Sequence, residues 1–245
     1  AEEFLKACLD AEFSIVNLEK KPAKKSPAPP FTTSTLQQEA SRKLYFSVAQ
    51  TMSVAQKLYE AGKITYMRTD SVNLSEDAMQ SAKSAIEDSY GKPYHHSRKY
   101  TSKSEGAQEA HEAIRPTDFS KSSVSGDRNE QRLYELIWKR AIASQMSDAE
   151  LEKTTVNIGI SNSELTLTAN GEIIKFDGFL KVYLESTDDE PEEEESTNKS
   201  LLPPLKVGQK LDLLEMKGRE SFTRSAPRYT EASLVKKLEE LGIGR

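Results

Sequence analysis

The spacing of hydrophobic positions changes twice along this chain of 245 residues. In residues 12–18, Phe13 and Ile15 alternate with polar residues, which predicts a short strand. From about residue 30 to residue 148, apolar positions recur every three or four residues, as in helices with one buried face. After residue 150 the period returns to two. This order of strand, helices and strands predicts an α+β fold in which a helical block is inserted into a β-rich one.

Capping signals give the limits of the predicted helices. Ser34 followed by Gln37 resembles a capping box, and Ser75 and Asp127 are typical N-cap residues. Gly62 and Gly91 favour helix ends. The predicted helices run from Ser34 through Phe46, from 51 to 61 with Tyr59 on the apolar face, from 76 to 90, and onward from Asp127 with Leu133, Leu136, Ile137 and Ala141 as the buried stripe.

The last hundred residues predict strands and one final helix. Val156, Ile158 and Ile160 alternate with polar residues, and Asn170-Gly171 is a strong signal for a hairpin turn. A strand is expected over Val207–Met216. Thr230 should begin a helix over 231–241 that ends at Gly242.

Two polar stretches interrupt these elements. Residues 20–30 contain four prolines among lysines and alanines, which predicts an extended connector rather than a helix or a central strand. Residues 188–195 contain seven acidic residues, which predict a flexible loop. Because the net charge of the chain is −5, this one loop accounts for all of it. Tight binding of DNA through charge alone is therefore not expected.

Composition excludes several classes of protein. The chain has no apolar run long enough to cross a membrane, and Cys8 alone forms neither a disulfide nor a cysteine-built zinc site. Three histidines are too few to argue for a metal cage. A reducing cytoplasm is the expected location. The acidic start without methionine is no signal peptide and indicates a fragment of a longer protein.

The residues best suited to catalysis lie in Ile64–Ser71, which reads Ile-Thr-Tyr-Met-Arg-Thr-Asp-Ser. Tyr66 offers a phenol as a nucleophile, and Arg68 offers a guanidinium that can bind a phosphate. Two hydroxyls and a carboxylate stand beside them. Such a set is suited to moving a phosphodiester onto a tyrosine oxygen, although most tyrosines in proteins only pack.

This octet resembles the active-site signature of type IA DNA topoisomerases, and its Met67 is similar to the bacterial branch. The resemblance implies that Tyr66 attacks a DNA strand and holds its 5′ phosphate, while Arg68 positions the scissile phosphate. It further implies a helical active-site domain inserted in a discontinuous β-rich gate domain. The expected segments are 1–29 and 149–225 for the gate, 30–148 for the helical domain, and 226–245 for the start of a single-strand-binding domain.

Two more segments are similar to the same family. In Gln108–Thr117, His111 is expected to relay a proton or contact the DNA backbone, and Arg115 to pair with phosphate or with a local carboxylate. A zinc-protease helix is excluded because Arg115 stands where a second histidine is needed. In Pro227–Arg245, the final arginine is expected to meet DNA. The expected DNA-binding residues are Arg68, Thr69, Asp70, Arg115 and Arg245, and the catalytic ones are Tyr66, Arg68 and His111.

The resemblance also sets expectations for cofactors and partners. Mg²⁺ would be held by a domain outside this chain, and no metal is expected within it. The absence of a P-loop motif fits a reaction without ATP. The partners would be single-stranded DNA and the missing metal-binding domain of a monomeric protein, with no membrane. The 245 residues alone are expected to be inactive. The rival hypothesis is a non-catalytic DNA-binding or scaffold module in which Tyr66 merely packs.

Overall fold

The structure, a computed structural model, describes residues 2–101, 112–183, 202–223, 225 and 228–243. The chain forms two compact units, and the second interrupts the first in sequence. The first comprises Ala1–Lys25, Glu150–Phe176 and Glu192–Pro227, and the second comprises Ser26–Ala149, Asp177–Pro191 and Arg228–Arg245, each as far as its residues are described. The boundaries of the four segments expected from the sequence stay a prediction.

The first unit is built on a sheet of four strands. After α1 (Glu2–Leu9), the strands are β1 (Phe13–Lys25), β2 (Ala149–Ile160), β3 (Ser163–Phe176) and β4 (Lys210–Leu211), in the sheet order β3-β2-β1-β4. Antiparallel pairing joins β2 to β3 and β1 to β4. The early strand therefore joins the late ones in one sheet, and the predicted α+β class is confirmed.

The hairpin between β2 and β3 corrects one expectation. It turns at Ser161–Asn162, where Ile160 pairs with Ser163, and not at Asn170–Gly171. Asn170 lies inside β3 opposite Thr155, whose hydroxyl lies 3.1 Å from the Asn170 side-chain oxygen. Because β2 is long enough to continue pairing past this dipeptide, the extended ladder overrides the local turn preference.

Two strand limits also differ from expectation. β1 continues to Lys25 and includes Pro22, where an unpaired connector was predicted. β4 pairs only with Phe13 and Ser14, so among the described strands one edge of β1 is open around Pro22, and a proline is tolerated at such an edge. β4 itself covers two residues rather than Val207–Met216.

The second unit contains the remaining helices. They are α2 (Thr33–Leu44), α3 (Val48–Glu60), α4 (Glu76–Tyr90), α5 (Arg128–Ser144) and α6 (Glu231–Glu240), with short 3₁₀ turns at Lys92–Tyr94 and Gly178–Lys181. Ser75, Asp127 and Thr230 are N-caps as predicted.

The capping box at Ser34 and Gln37 is a wrong prediction. The reciprocal pair is Thr32 and Thr35: the Thr35 N–H donates to Thr32 Oγ1 at 3.3 Å, and the Thr32 N–H donates to Thr35 Oγ1 at 2.9 Å. Ser34 instead donates its hydroxyl to Glu239 of α6 at 2.7 Å. The helix thus begins before Ser34, because another hydroxyl pair stands at the same spacing two residues earlier.

The core of the second unit forms around α5. Its predicted stripe of Leu133, Leu136, Ile137 and Ala141 is buried, and Trp138 packs with it while its indole N–H donates to the Phe119 carbonyl at 2.9 Å. Phe31, Leu36, Leu58 and Ile64 join the same apolar cluster. The segment around Ile64 is thereby fixed to the core of the unit.

A group of buried and partly buried polar residues, the Glu39 cluster, links α2 to α5. It consists of Glu39, Arg42, Lys43, Arg140 and Tyr183. The Tyr183 hydroxyl donates to Glu39 at 2.7 Å, and Arg42 and Lys43 lie 3.3 and 3.7 Å from the same carboxylate. The Arg140 guanidinium lies over the rings of Phe31 and Tyr183 and donates to the Pro29 carbonyl. Buried charges are tolerated here because they have partners.

α6 packs on α2. Glu239 accepts hydrogen bonds from Ser34 and Gln38, and Glu231 accepts one from the Val48 N–H at the first turn of α3. A carboxylate at a helix N-terminus is stabilised by the unpaired N–H groups there. Of the helices in the described ranges, none is both long and apolar enough to cross a membrane.

Candidate active site

The segment that carries Tyr66 leaves the end of α3 through a tight turn. Gly62 has φ +67°, a left-handed conformation that glycine adopts without strain, and its N–H donates to the Tyr59 carbonyl at 2.8 Å. The chain then runs without regular secondary structure from Ile64 to Ser75, the cap of α4. Its geometry therefore depends on what holds its backbone on either side.

On one side the segment is held by residues 113–117. Ile64 forms a β-bridge with Pro116, and the Thr65 N–H donates to the Arg115 carbonyl at 2.9 Å. The Thr65 hydroxyl donates to the Ala113 carbonyl at 2.7 Å and accepts from the Arg115 N–H at 3.0 Å. The octet Ile64–Ser71 and the segment 113–117, which lie far apart in sequence, are thus joined at the two residues before Tyr66.

On the other side the segment is held by Thr33, in the first turn of α2. The Thr33 N–H donates to the Thr69 carbonyl at 2.9 Å. Its hydroxyl donates to the Met67 carbonyl at 2.8 Å and accepts from the Thr69 N–H at 2.9 Å. One side chain therefore fixes the backbone on both sides of Arg68. Thr33 was not predicted as a site residue, since only the folded chain brings it to this segment.

Exposure along the segment separates two groups of side chains. Ile64 and Met67 are both 1% exposed and lie in the core, whereas Tyr66 is 40% exposed and Arg68 is exposed. The buried pair anchors the segment. The tyrosine and the arginine that flank Met67 both reach solvent, as a phenol and a guanidinium must if they are to meet a phosphate.

The Tyr66 ring packs against Tyr59, in the last turn of α3. The ring centroids are 5.3 Å apart at an interplanar angle of 66°, an edge-to-face contact. Tyr59 was predicted on the apolar face of its helix, but it is 40% exposed. The ring of Tyr66 is therefore oriented by a neighbour that itself borders solvent.

Two of the predicted site residues have side chains available to a ligand. Within the described ranges, neither the Arg68 guanidinium nor the half-buried Asp70 carboxylate makes a hydrogen bond or an ion pair. Thr69 differs, because it is 7% exposed and its hydroxyl accepts the Ser71 N–H at 3.0 Å. The geometry gives Thr69 a local structural contact, and its contact with DNA stays a prediction.

Arg115 pairs with a local carboxylate. Its guanidinium donates to Glu112 at 2.6 Å and to the Pro116 carbonyl at 3.0 Å, while its buried Nε has no partner among the described residues. Glu112 also accepts the Ser75 N–H at 2.6 Å. Burial acts to raise the Glu112 pKa, but the hydrogen bonds from Ser75 and Arg115 outweigh it, so this pKa lies below its usual value.

Two predicted site residues, His111 and Arg245, lie outside the described residues, as does the acidic stretch 188–195. The roles predicted for them stay predictions. In the described part of the chain, no three His, Cys, Asp or Glu side chains come together in a group that could hold a metal ion.

Comparison with known proteins gives the family. The sequence model of a DNA topoisomerase family matches residues 1–245. The chain is 50% identical over 237 residues to DNA topoisomerase 1 of Zymomonas mobilis, covering 95% of this chain and 19% of that protein. It is 48% identical over 259 residues to DNA topoisomerase 1 of Rickettsia felis, covering all of this chain and 33% of that protein.

A solved structure agrees. Full-length topoisomerase I from Thermotoga maritima is similar over the whole chain and 40% of its own length, with a TM-score of 0.82 and 35% sequence identity. The sequence match and the fold define the class as that of the DNA topoisomerases. The chain belongs to the family of bacterial type IA DNA topoisomerases. It spans between about a fifth and two fifths of the relatives named here.

Proposed function

We propose that this chain is the nucleophile-bearing part of an ATP-independent type IA DNA topoisomerase. The whole protein would cut one DNA strand through a 5′-phosphotyrosine link, pass a strand through the break and reseal it, which relaxes negative supercoils. One observation carries the proposal: Tyr66 and Arg68 both reach solvent from a backbone that hydrogen bonds hold on both sides. A tyrosine that only packs has no need of this arrangement.

The proposed cleavage step conserves protons and bonds. The Tyr66 oxygen attacks the phosphorus, a bond forms between them, and the bond from phosphorus to the 3′ oxygen breaks. The phenol loses one proton and the leaving 3′ oxygen gains one. Resealing is the reverse reaction, so the energy of the broken bond is kept in the link and no nucleotide is consumed.

Arg68 would hold the scissile phosphate. Its planar guanidinium binds two phosphate oxygens at once, and in the described part of the chain no carboxylate competes for it. Asp70 and Thr69 lie on the same segment and would border the bound strand. Arg115 would turn from Glu112, which it contacts at 2.6 Å, toward a phosphate of the bound strand.

His111 and Arg245 complete the proposed set, His111 near the phosphate and Arg245 on the bound strand. Binding of a single-stranded oligonucleotide should raise the pKa of His111, because a phosphate favours the charged imidazole. A histidine resonance that ignores saturating DNA would argue against this role.

Other parts of the machinery would lie outside this chain. As the resemblance to the family implies, we place the Mg²⁺ site and the group that protonates the 3′ oxygen elsewhere in the whole protein. The 245 residues alone should not relax supercoiled DNA in a relaxation assay, even with magnesium. The whole protein would act on single-stranded segments of DNA in the cytoplasm, as a monomer.

The test is Tyr66→Phe in the whole protein, with Tyr59→Phe as the matched control. Phenylalanine keeps the edge-to-face packing at either position and removes one hydroxyl. Tyr66→Phe should fold normally and form no covalent adduct with a single-stranded oligonucleotide on a denaturing gel, while Tyr59→Phe should form it. An adduct of normal yield in Tyr66→Phe would leave Tyr66 as a packing residue and favour the rival, a non-catalytic DNA-binding module.

A further inference from the structure

One residue at the end of α2 has an unusual backbone. Tyr45 ends α2 with φ +59° and ψ +33°, in the left-handed region, and is the one residue other than glycine with a positive φ in the described part of the chain. Glycine is the usual residue at this position of a helix end. The Phe46 N–H closes the end by donating to the Ala40 carbonyl at 3.3 Å. A tyrosine here is strained where glycine would not be.

The Tyr45 side chain gains little from packing in return. It is 83% exposed, whereas Phe46 beside it is 3% exposed. The stability of the helix end therefore does not explain why this position holds a large aromatic ring. Strained residues of this kind occur where a side chain serves a binding surface.

A guanidinium contacts the two residues that flank Tyr45. Arg132 of α5 donates to the Leu44 carbonyl at 3.2 Å, and its charged end lies 5.3 Å from the centre of the Phe46 ring. Arg132 thus contacts both neighbours of Tyr45. It has no carboxylate partner in the described ranges, and its other N–H groups remain available to a ligand.

Arg132 also lines a groove of about 420 Å³. Lys43 and Lys139 line the groove as well, and Glu135 is the one carboxylate of its lining. Lys139 pairs with Glu135 at 2.6 Å, and Lys43 pairs with the buried Glu39 at 3.7 Å. Arg132 is therefore the cation that a ligand would neutralise. The charge of the groove favours an anionic ligand.

We propose that Tyr45 and Arg132 form a second contact site for single-stranded DNA, in which a base stacks on Tyr45 and the adjoining phosphate binds Arg132. Bases stack on exposed aromatic rings whatever their sequence, and arginine suits the phosphate. The inference rests on the proposed function only in taking single-stranded DNA as the ligand. It does not involve the chemistry of Tyr66.

The decisive variant is Tyr45→Gly in a whole protein that also carries Tyr66→Phe, so that binding is measured without cleavage. A dT oligonucleotide with a fluorescent label is the probe. Tyr45→Gly should bind it about tenfold more weakly, or about 1.4 kcal/mol. The same variant should unfold at a temperature no lower than its parent, and by up to roughly 4 °C higher, since glycine relieves the strained backbone. Loss of binding with no loss of stability excludes misfolding as the cause.

Two control variants assign the parts of the site. Tyr45→Phe keeps the ring and should bind within about twofold of the parent, since stacking does not need the hydroxyl. Arg132→Gln should reduce the slope of log affinity against log salt by about 0.7, the value for one phosphate on a single strand, whereas Tyr45→Gly should leave the slope unchanged. Photo-crosslinking of a 5-bromouracil oligonucleotide should label Tyr45.

The proposal is overturned if Tyr45→Gly binds the oligonucleotide as tightly as its parent, or if Tyr45→Phe loses as much affinity as Tyr45→Gly. The first outcome would leave this surface to some other anionic partner, such as an acidic peptide. Adduct formation by the protein with an intact Tyr66 is scored separately. A failed adduct assay refutes the proposed function, and a failed binding comparison refutes only this second site.

Discussion

The second unit places two pairs of tyrosine and arginine in opposite environments. Tyr183 and Arg140 are 5% and 3% exposed, and both are bonded within the Glu39 cluster. Tyr66 is 40% exposed, and Arg68 is exposed with no ion pair in the described part of the chain. The same residue types are buried and structural in one place and lie at the surface in the other.

The difference shows what the proposed chemistry requires beyond the right residue types. Burial raises the pKa of Tyr183 far above its ordinary value, and the Glu39 carboxylate reinforces the shift although Arg140 reduces it. Its hydroxyl is also committed to Glu39. Such a phenol neither ionises nor reaches a phosphate. At Tyr66 the fold instead fixes the backbone and leaves the ring and the neighbouring guanidinium at the surface.

The largest expected effect is a difference in the free energy of unfolding between variants of the two arginines, Arg140 and Arg68. Arg140→Ala removes a buried cation from between two rings and leaves the Pro29 carbonyl without its donor, so it should lower the free energy of unfolding by about 3 kcal/mol or more. Arg68→Ala removes an exposed side chain and should change it by less than about 0.5 kcal/mol. Urea unfolding of both variants in the whole protein measures the contrast. Equal losses would mean that Arg68 also supports the fold.

The next effect concerns function. Arg68→Lys keeps the charge but loses the planar fork, so cleavage at saturating DNA should fall roughly ten- to a hundredfold, or about 1.4–2.7 kcal/mol. Single-turnover cleavage of an oligonucleotide measures this rate. Arg42→Lys on α2 is a matched control, since it makes the same exchange away from Tyr66, and cleavage should be unchanged. A normal rate in Arg68→Lys would contradict bidentate binding of the phosphate.

Local signals in the sequence were enough for much of the fold. Ser75, Asp127 and Thr230 cap the helices that were predicted after them, because a capping residue acts on N–H groups only two or three positions away. The alternation of Val156 and Ile160 with polar residues is likewise a local signal, and it predicted a strand. The candidate site was also found locally, since Tyr66 and Arg68 stand within one octet.

The expectations that failed depend on distant partners. Asn170–Gly171 is a good turn by itself, but pairing with β2 holds it in a strand. Helix α1 was not predicted, and its buried Cys8 packs with Phe13 and Ile160 in a small core that only the folded first unit assembles. Thr33, the residue that holds the Tyr66 segment, stands more than thirty positions before it. Sequence patterns thus indicate the candidate nucleophile, Tyr66, better than the residues that hold it.

A smaller effect on stability and cleavage is expected from changing Thr33, which holds the Tyr66 segment. Thr33→Val removes the hydroxyl that bonds to Met67 and Thr69 and keeps the shape of the side chain. It should lower the free energy of unfolding by about 1 kcal/mol and slow cleavage severalfold, because on this side the Tyr66 segment keeps only the bond from the backbone N–H of residue 33. Thr33→Ser retains the hydroxyl and should restore cleavage. If Thr33→Val cleaves normally, the bonds to residues 113–117 alone orient Tyr66.

The smallest effect is a pH dependence at the Glu112 and Arg115 pair, which lies at the other attachment of the segment. The pKa of Glu112 is lower in the folded chain than its ordinary value of 4.5. Its contribution to stability is therefore fully present above about pH 4.5 and is lost as the pH falls through the lower folded value. Glu112→Gln has no carboxylate to titrate and should lack this part of the pH dependence.

The contribution of Glu112 should be less than about 1 kcal/mol, because the pair is partly exposed and water screens it. Urea unfolding of the parent and of Glu112→Gln, repeated from pH 7 down to pH 3, measures it as the difference between the two proteins. That difference should be constant near neutral pH and shrink below about pH 4.5. A difference that stays constant to pH 3 would mean that the carboxylate is not stabilised by Arg115 and Ser75. The guanidinium of Arg115 would then be free to turn from Glu112 toward a phosphate at little cost, and the contrast between the partnered Arg115 and the open Arg68 would disappear.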